Sequence, residues 1–184
     1  MTRSGAAHPL THRTATLDDL PALHGLIDRA IATLQQGFLS PQQISASRHV
    51  MGLDTQLIRD GTYLVVEREG AIVGSGGWSY RATLYGGDQS VVAREVAELD
   101  PAQDAARIRA MYTDPACARQ GIGRQVLTLC ENAARARGFR RAEMMATLAG
   151  EPLYRACGYI PIEQVTAGPI DGVSVPLVRM GKAL

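Results

Sequence analysis

A strand, a glycine turn, a helix and a second strand follow one another between residues 107 and 147, and this succession restricts the fold more than any other stretch. Residues 107–113, Arg-Ile-Arg-Ala-Met-Tyr-Thr, read as a strand that Asp114-Pro115 ends. Gly121 and Gly123 then open a helix over 121–137. Its Val126, Leu127, Cys130, Ala133 and Ala134 share one apolar face that must pack on a sheet. Residues 141–147 return to strand. Strand, helix and strand in this order make a parallel crossover, which is right-handed in nearly every known case. A helix of about 16 residues carries the chain back ~24 Å, and a strand of about seven residues returns it ~23 Å. The end of the second strand, near Thr147, therefore comes back beside the glycine turn. Tyr154, in the short helix expected over 151–157, belongs to the same edge. In open α/β sheets ligands bind outside the carboxyl ends of the strands, so three separate segments converge where a ligand is expected.

The turn is suited to an anion. The first N–H groups of a helix have no acceptor within it, and they sit at the positive end of its dipole. Gly121 and Gly123 lack the Cβ atoms that would hold a phosphate off, and Arg119 and Arg124 add positive charge. A pyrophosphate is the natural guest. The alternative is that the glycines serve only a tight turn and close helix packing. A Walker P-loop is a poor fit, since no lysine follows the second glycine. A dinucleotide fingerprint is also poor, because Val126 stands where its third glycine belongs.

The rest of the chain supplies a frame for this unit. Residues 12–15 form a short strand, and Leu20, Leu23, Leu26, Ile27, Ala30, Ile31 and Leu34 recur at helical spacing, with Asp18 or Thr16 as cap. A second helix opens at Ser40-Pro41, and a helical piece lies near 55–59. Residues 63–67 and 71–79 read as a hairpin. Gly74, Gly76 and Gly77 in its second arm mark a bulge or a close approach to the backbone. Residues 80–104 show no period; 94–99 reads equally as a strand or one helical turn. Residues 159–165 and 173–180 close the chain as strands, the latter at an edge or bulged because of Pro176. Residues 1–10 read as a flexible tail, and 11–184 as one domain.

Composition narrows the function. The 184 residues carry a net charge of +1, without the basic excess of a general nucleic-acid binder. Arg135, Arg137, Arg140 and Arg141 read as a solvated helix end. No apolar run is long enough to cross a bilayer, and the start lacks the apolar core of a secretory signal. Three cysteines at spacings that match no zinc pattern suit a reducing cytoplasm, and no metal is expected. Cys117 and Cys157, close to the turn and to Tyr154, have no histidine near in sequence to activate them and read as packing residues.

Tyr112-Thr113-Asp114-Pro115, then Ala118-Arg119-Gln120-Gly121-Ile122-Gly123-Arg124, then Leu153-Tyr154 and Gly158-Tyr159, resemble the GNAT superfamily of acetyl-CoA-dependent N-acetyltransferases. The resemblance covers residues 107–162 well and the flanking parts more loosely. It implies an α/β chain, an α+β mixed sheet of about seven strands with flanking helices. It implies acetyl-CoA as co-substrate, its pyrophosphate held on the backbone of Gln120, Gly121, Gly123 and Arg124, with Arg119 and Ile122 in the same loop. Met111, Tyr112 and Thr113 would pair through their backbone with the pantetheine amides, and Thr147 closes the site where many members carry asparagine. Tyr154 corresponds to the tyrosine that protonates the leaving thiolate. Ala118 stands where the family usually has arginine or glutamine, a place Arg119 is positioned to fill.

The implied reaction is direct attack of an amine on the thioester in a ternary complex, the acceptor being a small molecule or a peptide. A dimer would suit the family. An alkyl amine is mostly protonated at neutral pH, so a base or a water chain is needed. Glu95 is named first because it precedes the cofactor strand in the unassigned segment; Glu98, Asp88 and Glu143 are the others. Walls for the acceptor are expected from residues 36–39, 78–81 and 167–172, with Phe38 and Trp78 as candidate lining. A non-catalytic sensor of acetyl-CoA or CoA is the alternative function.

Overall fold

A computed structural model describes residues 9–184. The expected tail over residues 1–10 lies, up to residue 8, outside the described residues, and Leu10 is already packed against the core. In chain order the elements are β1 (Thr11–Thr14), α1 (Leu20–Leu34), α2 (Pro41–Ser47), α3 (Thr55–Arg59), β2 (Tyr63–Arg68) and β3 (Ala71–Ser79). They continue with β4 (Ala106–Thr113), α4 (Ile122–Ala136), β5 (Arg141–Thr147), α5 (Glu151–Ala156), β6 (Ile160–Ile170) and β7 (Val173–Ala183). The strands form one mixed sheet in the order β1-β2-β3-β4-β5-β7-β6, with β4 and β5 as its parallel pair. Among the described residues no helix is long and apolar enough to cross a membrane.

The alternation of side chains along β2 shows how the two faces are filled. Val65 points into a cluster with Leu23, Ile27, Ile31 and Leu57 from α1 and α3. Its neighbour Val66 joins Ile122, Val126, Leu127, Cys130 and Ala134 of α4 on the other face. Two glycines let α4 settle that closely. A Cβ on Gly74 would lie 2.4 Å from Ile122 Cγ2, and one on Gly76 would lie 2.3 Å from Met111 Sδ and 2.7 Å from Val126 Cγ1. The glycine run in β3 thus reflects both a close approach and a bulge, since the β3–β4 register slips between Ser75 and Gly77.

β4 and β5 pair only at their starts, Ala106 with Ala142, Arg107 with Glu143 and Ile108 with Met144. Beyond that point β4 stays with β3 as far as Thr113, while β5 stays with β7 as far as Thr147. The sheet therefore splits between its two parallel strands. A bulge at Ala110, held at φ 51°, bends β4 at the mouth of the split. The buried Tyr63 hydroxyl donates to the Ala110 carbonyl at 2.9 Å and lies 3.0 Å from Ser75 Oγ, bracing the bulge from beneath.

Two expectations change. β7 is an interior strand rather than an edge, but β5 stops opposite Leu177, so Pro176 has no ladder partner on that side. Residues 94–99 form neither strand nor helix; Glu98 makes one bridge with Arg81. The segment after β3 folds back on itself, with Ala82 N–H donating to Ala97 O and Thr83 N–H to Glu95 O. It is also fastened to the α2–α3 connection, where Asp88 N–H donates to Leu53 O and Val91 N–H to His49 O.

Candidate active site

At the end of β4 the chain turns through Pro115–Cys117, where Asp114 Oδ1 accepts from Ala116 N–H at 2.9 Å. Arg29 of α1 donates to Asp114 Oδ2 at 2.7 Å. Burial opposes ionisation of Asp114, but these hydrogen bonds outweigh it and hold the carboxyl below its ordinary range. The turn then coils through two left-handed residues, Arg119 at φ 64° and Gly121 at φ 83°. Between them Gln120 accepts from Arg68 through its side chain at 2.8 Å, which fixes the loop to the β2–β3 hairpin. Gln125 is the residue whose N–H closes the first turn of α4, on Gly121 O. The N–H groups of Ile122, Gly123 and Arg124 are left open at the helix end. Arg119 and Arg124 are exposed and make no ion pair among the described residues.

The glycines differ in purpose. Gly121 needs its backbone conformation, and a Cβ there would point into open space. Gly123 is a packing glycine, since a Cβ would lie 2.9 Å from Leu153 Cδ2 of α5. The side chain of Ile122 is core, leaving only its N–H to the site.

Along the split, β4 lacks its β5 partner from Arg109 to Thr113, which leaves a row of backbone groups at the opening. Met111, Tyr112 and Thr113 line it, facing Met145 and Thr147 of β5. The Tyr112 hydroxyl accepts from Gly52 N–H at 2.9 Å, and burial pushes its pKa up to about 12. Thr147 accepts from Gly150 N–H through both its carbonyl and its hydroxyl oxygen, shaping the turn into α5. A Cβ on Gly150 would meet the Tyr154 ring at 2.8 Å, so the glycine lets that ring lie over the turn. Tyr154 is 8 % exposed, sits edge-on to Tyr159 and lines the cleft together with Gly123 and Leu153. Burial raises its pKa well above the ordinary tyrosine value, so the hydroxyl keeps its proton at neutral pH.

The cleft, of about 220 Å³, continues past the split to α1 and the segment after β3. There Ala30, Ile31, Leu34 and Gln35 face Val50, Met51, Leu84 and Tyr85. Arg109 also lines it, 6 % exposed, bound to Asp54 at 2.8 Å and to Gly86 O at 2.7 Å. Arg94 donates to the second oxygen of Asp54 at 2.8 Å and also contacts Asp88. Burial lowers the pKa of Arg109, and the charge of Asp54 works against that shift. These residues carry equal numbers of positive and negative charges, so the cluster adds no net charge.

The structure thus brings Met111, Tyr112, Thr113, Gly123, Thr147 and Tyr154 to one cleft, with Arg119, Gln120, Gly121, Ile122 and Arg124 in the loop at its β4 end. It does not bring Glu95 there. That side chain is exposed, and its backbone is engaged with Thr83 on the flank of the cleft. Glu98 is exposed, Asp88 is paired with Arg94, and Glu143 with Arg107 and Arg179. Among the described residues no carboxylate lines the cleft. The expected acceptor walls also move. Trp78 packs edge-on to Phe139 in the core and Phe38 is half exposed outside the lining, while Leu84 and Tyr85 take the place assigned to residues 78–81. The sequence reading missed Gln35, Asp54 and Arg109. An arginine inside an otherwise apolar half-strand was the one available signal. Cys117 and Cys157 stay outside the lining.

Residues 29–159 match the acetyltransferase (GNAT) family model. No curated protein sequence matches the chain. Many solved structures share the fold. A GCN5-related N-acetyltransferase (aminotransferase, class II) from Rhodopseudomonas palustris superposes with a TM-score of 0.71 at 16% identity, covering 97% of this chain and 98% of that one. The ribosomal-protein-alanine N-acetyltransferase of Brucella melitensis gives 0.63 at 21%, covering 95% and 99%. The PaiA N-acetyltransferase of Thermoplasma acidophilum in complex with coenzyme A gives 0.61 at 14%, covering 96% and 99%.

Proposed function

The chain belongs to the GNAT acetyltransferase family, and from that premise we propose that it moves the acetyl group of acetyl-CoA directly to an amine acceptor in a ternary complex. The observation that carries this reading is the unpaired edge of β4, which opens on one cleft with Gly123 at the start of α4 and the buried Tyr154. An extended chain of amides, such as pantetheine, can add to such an edge as a further strand. The N–H groups of Ile122, Gly123 and Arg124, with Gln120 and Gly121 before them, take the pyrophosphate, and Arg119 and Arg124 supply the charge. When bound, acetyl-CoA supplies a thioester carbonyl activated for acyl transfer.

The residues of the chain then position and move protons. The backbone of Met111–Thr113 holds the acyl end along β4, and Thr147 closes the opposite side. The amine nitrogen forms a bond to the acyl carbon as the carbon–sulfur bond breaks, and the amine gives one proton to solvent. The thiolate takes the proton of the Tyr154 hydroxyl, which solvent later restores. Among the described residues no carboxylate is in the lining, and proton removal is assigned to water at the cleft mouth. Titration of acetyl-CoA, CoA and ATP in a thermal-shift assay, followed by thiol release with amines, tests the reading. Stabilisation by the two CoA compounds and turnover with an amine are expected. Stabilisation by ATP alone would sink it, and stabilisation without turnover on any amine would leave a sensor in its place.

A further inference from the structure

The glycine turn before α4 is fastened at its two ends by its own backbone. Cys117 N–H donates to Asp114 O at 2.8 Å and Ala118 N–H to Pro115 O at 3.2 Å, and beyond the turn Gln125 N–H donates to Gly121 O at 3.0 Å. Arg119 and Gln120 stand between, both exposed, and Arg119 holds a left-handed φ of 64° that disfavours any residue with a side chain. What ties this stretch down comes from another strand. Arg68 Nη1 donates to Gln120 Oε1 at 2.8 Å and lies 3.8 Å from Cys117 Sγ, so one nitrogen spans both limbs of the turn. Arg68 is placed to serve as an anchor. It forms the last pair of the β2–β3 hairpin, opposite Ala71, and its Nε is buried with no hydrogen-bond partner. Keeping a guanidinium partly desolvated in that way is costly, and a strand end offers open solvent as the alternative.

An anion site built from backbone N–H groups holds its guest only while successive groups face one place, and left-handed residues allow that in a short turn. If residues 118–121 are free to leave this conformation, the ligand bears the cost of ordering them, and affinity is reduced to the fraction of chains already ordered. We propose that Arg68 is a positioning residue for the acetyl donor, holding the turn through the side chain of Gln120 in the conformation that takes the pyrophosphate. This rests on the acetyl-CoA reading and gives its cradle a support outside the strand–turn–helix unit. Gln120 thereby divides its work: its side chain takes the tether, and its backbone N–H serves the site. The alternative, in which Arg68 acts as a cation on the phosphate itself, gives a different pattern in the same experiment.

The test titrates acetyl-CoA and CoA into the full chain, Arg68→Met, Gln120→Leu and the double variant, at low and at high salt. Each single variant should weaken binding roughly fivefold, the upper worth of a part-exposed hydrogen bond to a charged group. The double variant should also lose about fivefold rather than the ~25-fold of independent sites, because both changes cut one tether. Salt dependence should match that of the parent chain in every variant, since no phosphate contact is removed. With an amine that the parent chain acetylates, KM for acetyl-CoA should follow Kd while kcat at saturation stays within about twofold, a split that general loosening of the fold would not give. Gln120→Leu, on an exposed residue, carries the test where Arg68→Met lowers the melting temperature. Unchanged binding in Gln120→Leu, additive losses, or a salt dependence flattened in Arg68→Met alone (the mark of a direct phosphate contact) overturns the proposal and leaves the acetyl-CoA reading standing. A parent chain that binds neither acetyl-CoA nor CoA overturns both.

Discussion

The cleft has two halves built from different materials. The half proposed for the acetyl donor consists of backbone: open N–H groups at the start of α4 and a strand edge left bare where β4 parts from β5. Its side chains matter mainly by being small, as at Gly123 and Gly150. The half proposed for the acceptor consists of side chains from α1, the α2–α3 connection, the segment after β3 and β4. Backbone sites depend on a local conformation that a short stretch can specify. Side-chain sites depend on which distant residues the fold brings together. The first half can therefore stay constant while the second is rewritten.

That contrast can be broken in a definite order. Tyr154→Phe should lower turnover by 10²–10⁴-fold, the usual contribution of a general acid, with acetyl-CoA affinity almost unchanged in a binding titration. Unaltered turnover with a good acceptor would remove the tyrosine from the mechanism. Because burial raises its pKa, loss of this acid should not produce an alkaline fall in kcat below pH ~10, its ordinary value. Gly121→Ala forces a side chain into the left-handed region, at about 1–2 kcal/mol. Acetyl-CoA should bind roughly tenfold more weakly, with the acceptor KM preserved; an equal effect on both constants would mean that the halves are not separable.

Arg94→Ala works from the other side. It removes the cation that joins Asp88 to Asp54, leaving Asp88 to Thr55 and Asp54 Oδ1 to Gln56 N–H, and so loosens the segment that carries Leu84 and Tyr85. Since Arg94 is part exposed, the acceptor KM should rise by no more than about fivefold, with acetyl-CoA binding intact. The smallest effect is expected outside both halves. Asp19 is bonded to Arg13 and Thr16, and its pKa is lowered to about 2 chiefly by the Arg13 hydrogen bonds. Its stabilising effect is full above pH ~4, the ordinary carboxylate range, and is lost as pH falls through about 2. Asp19→Asn should flatten that acid-side loss in thermal melts while leaving both kinetic constants alone.

The same contrast explains what could be read from the chain. The order and ends of β3, β5 and α4 follow from local period and turn residues, and the convergence of Thr147 and Tyr154 on the glycine turn follows from element lengths. Gly123 resisted, because a glycine that admits a phosphate and one that admits Leu153 look alike until α5 is in position. Glu95 was misplaced for a different reason. Its segment has no period, and its course is set by contacts with residues 49–54, which are remote in sequence. Arg68 gave no signal at all, since a tether from β2 to the glycine turn is a property of the assembled fold.

The bulge at Ala110 has a consequence for how this chain can vary. In an even strand, residues 109, 111 and 113 would share a face. Here Arg109 and Tyr112 turn to the side of α1–α3, reaching Asp54 and Gly52, while Ile108 and Met111 turn to α4. The strand thus changes phase midway, and the change depends on one surplus residue. Deleting that residue would exchange the surroundings of Met111, Tyr112 and Thr113 while leaving their own side chains unchanged. Descendants of this sequence are accordingly freer to change the letters of β4 than to change its length.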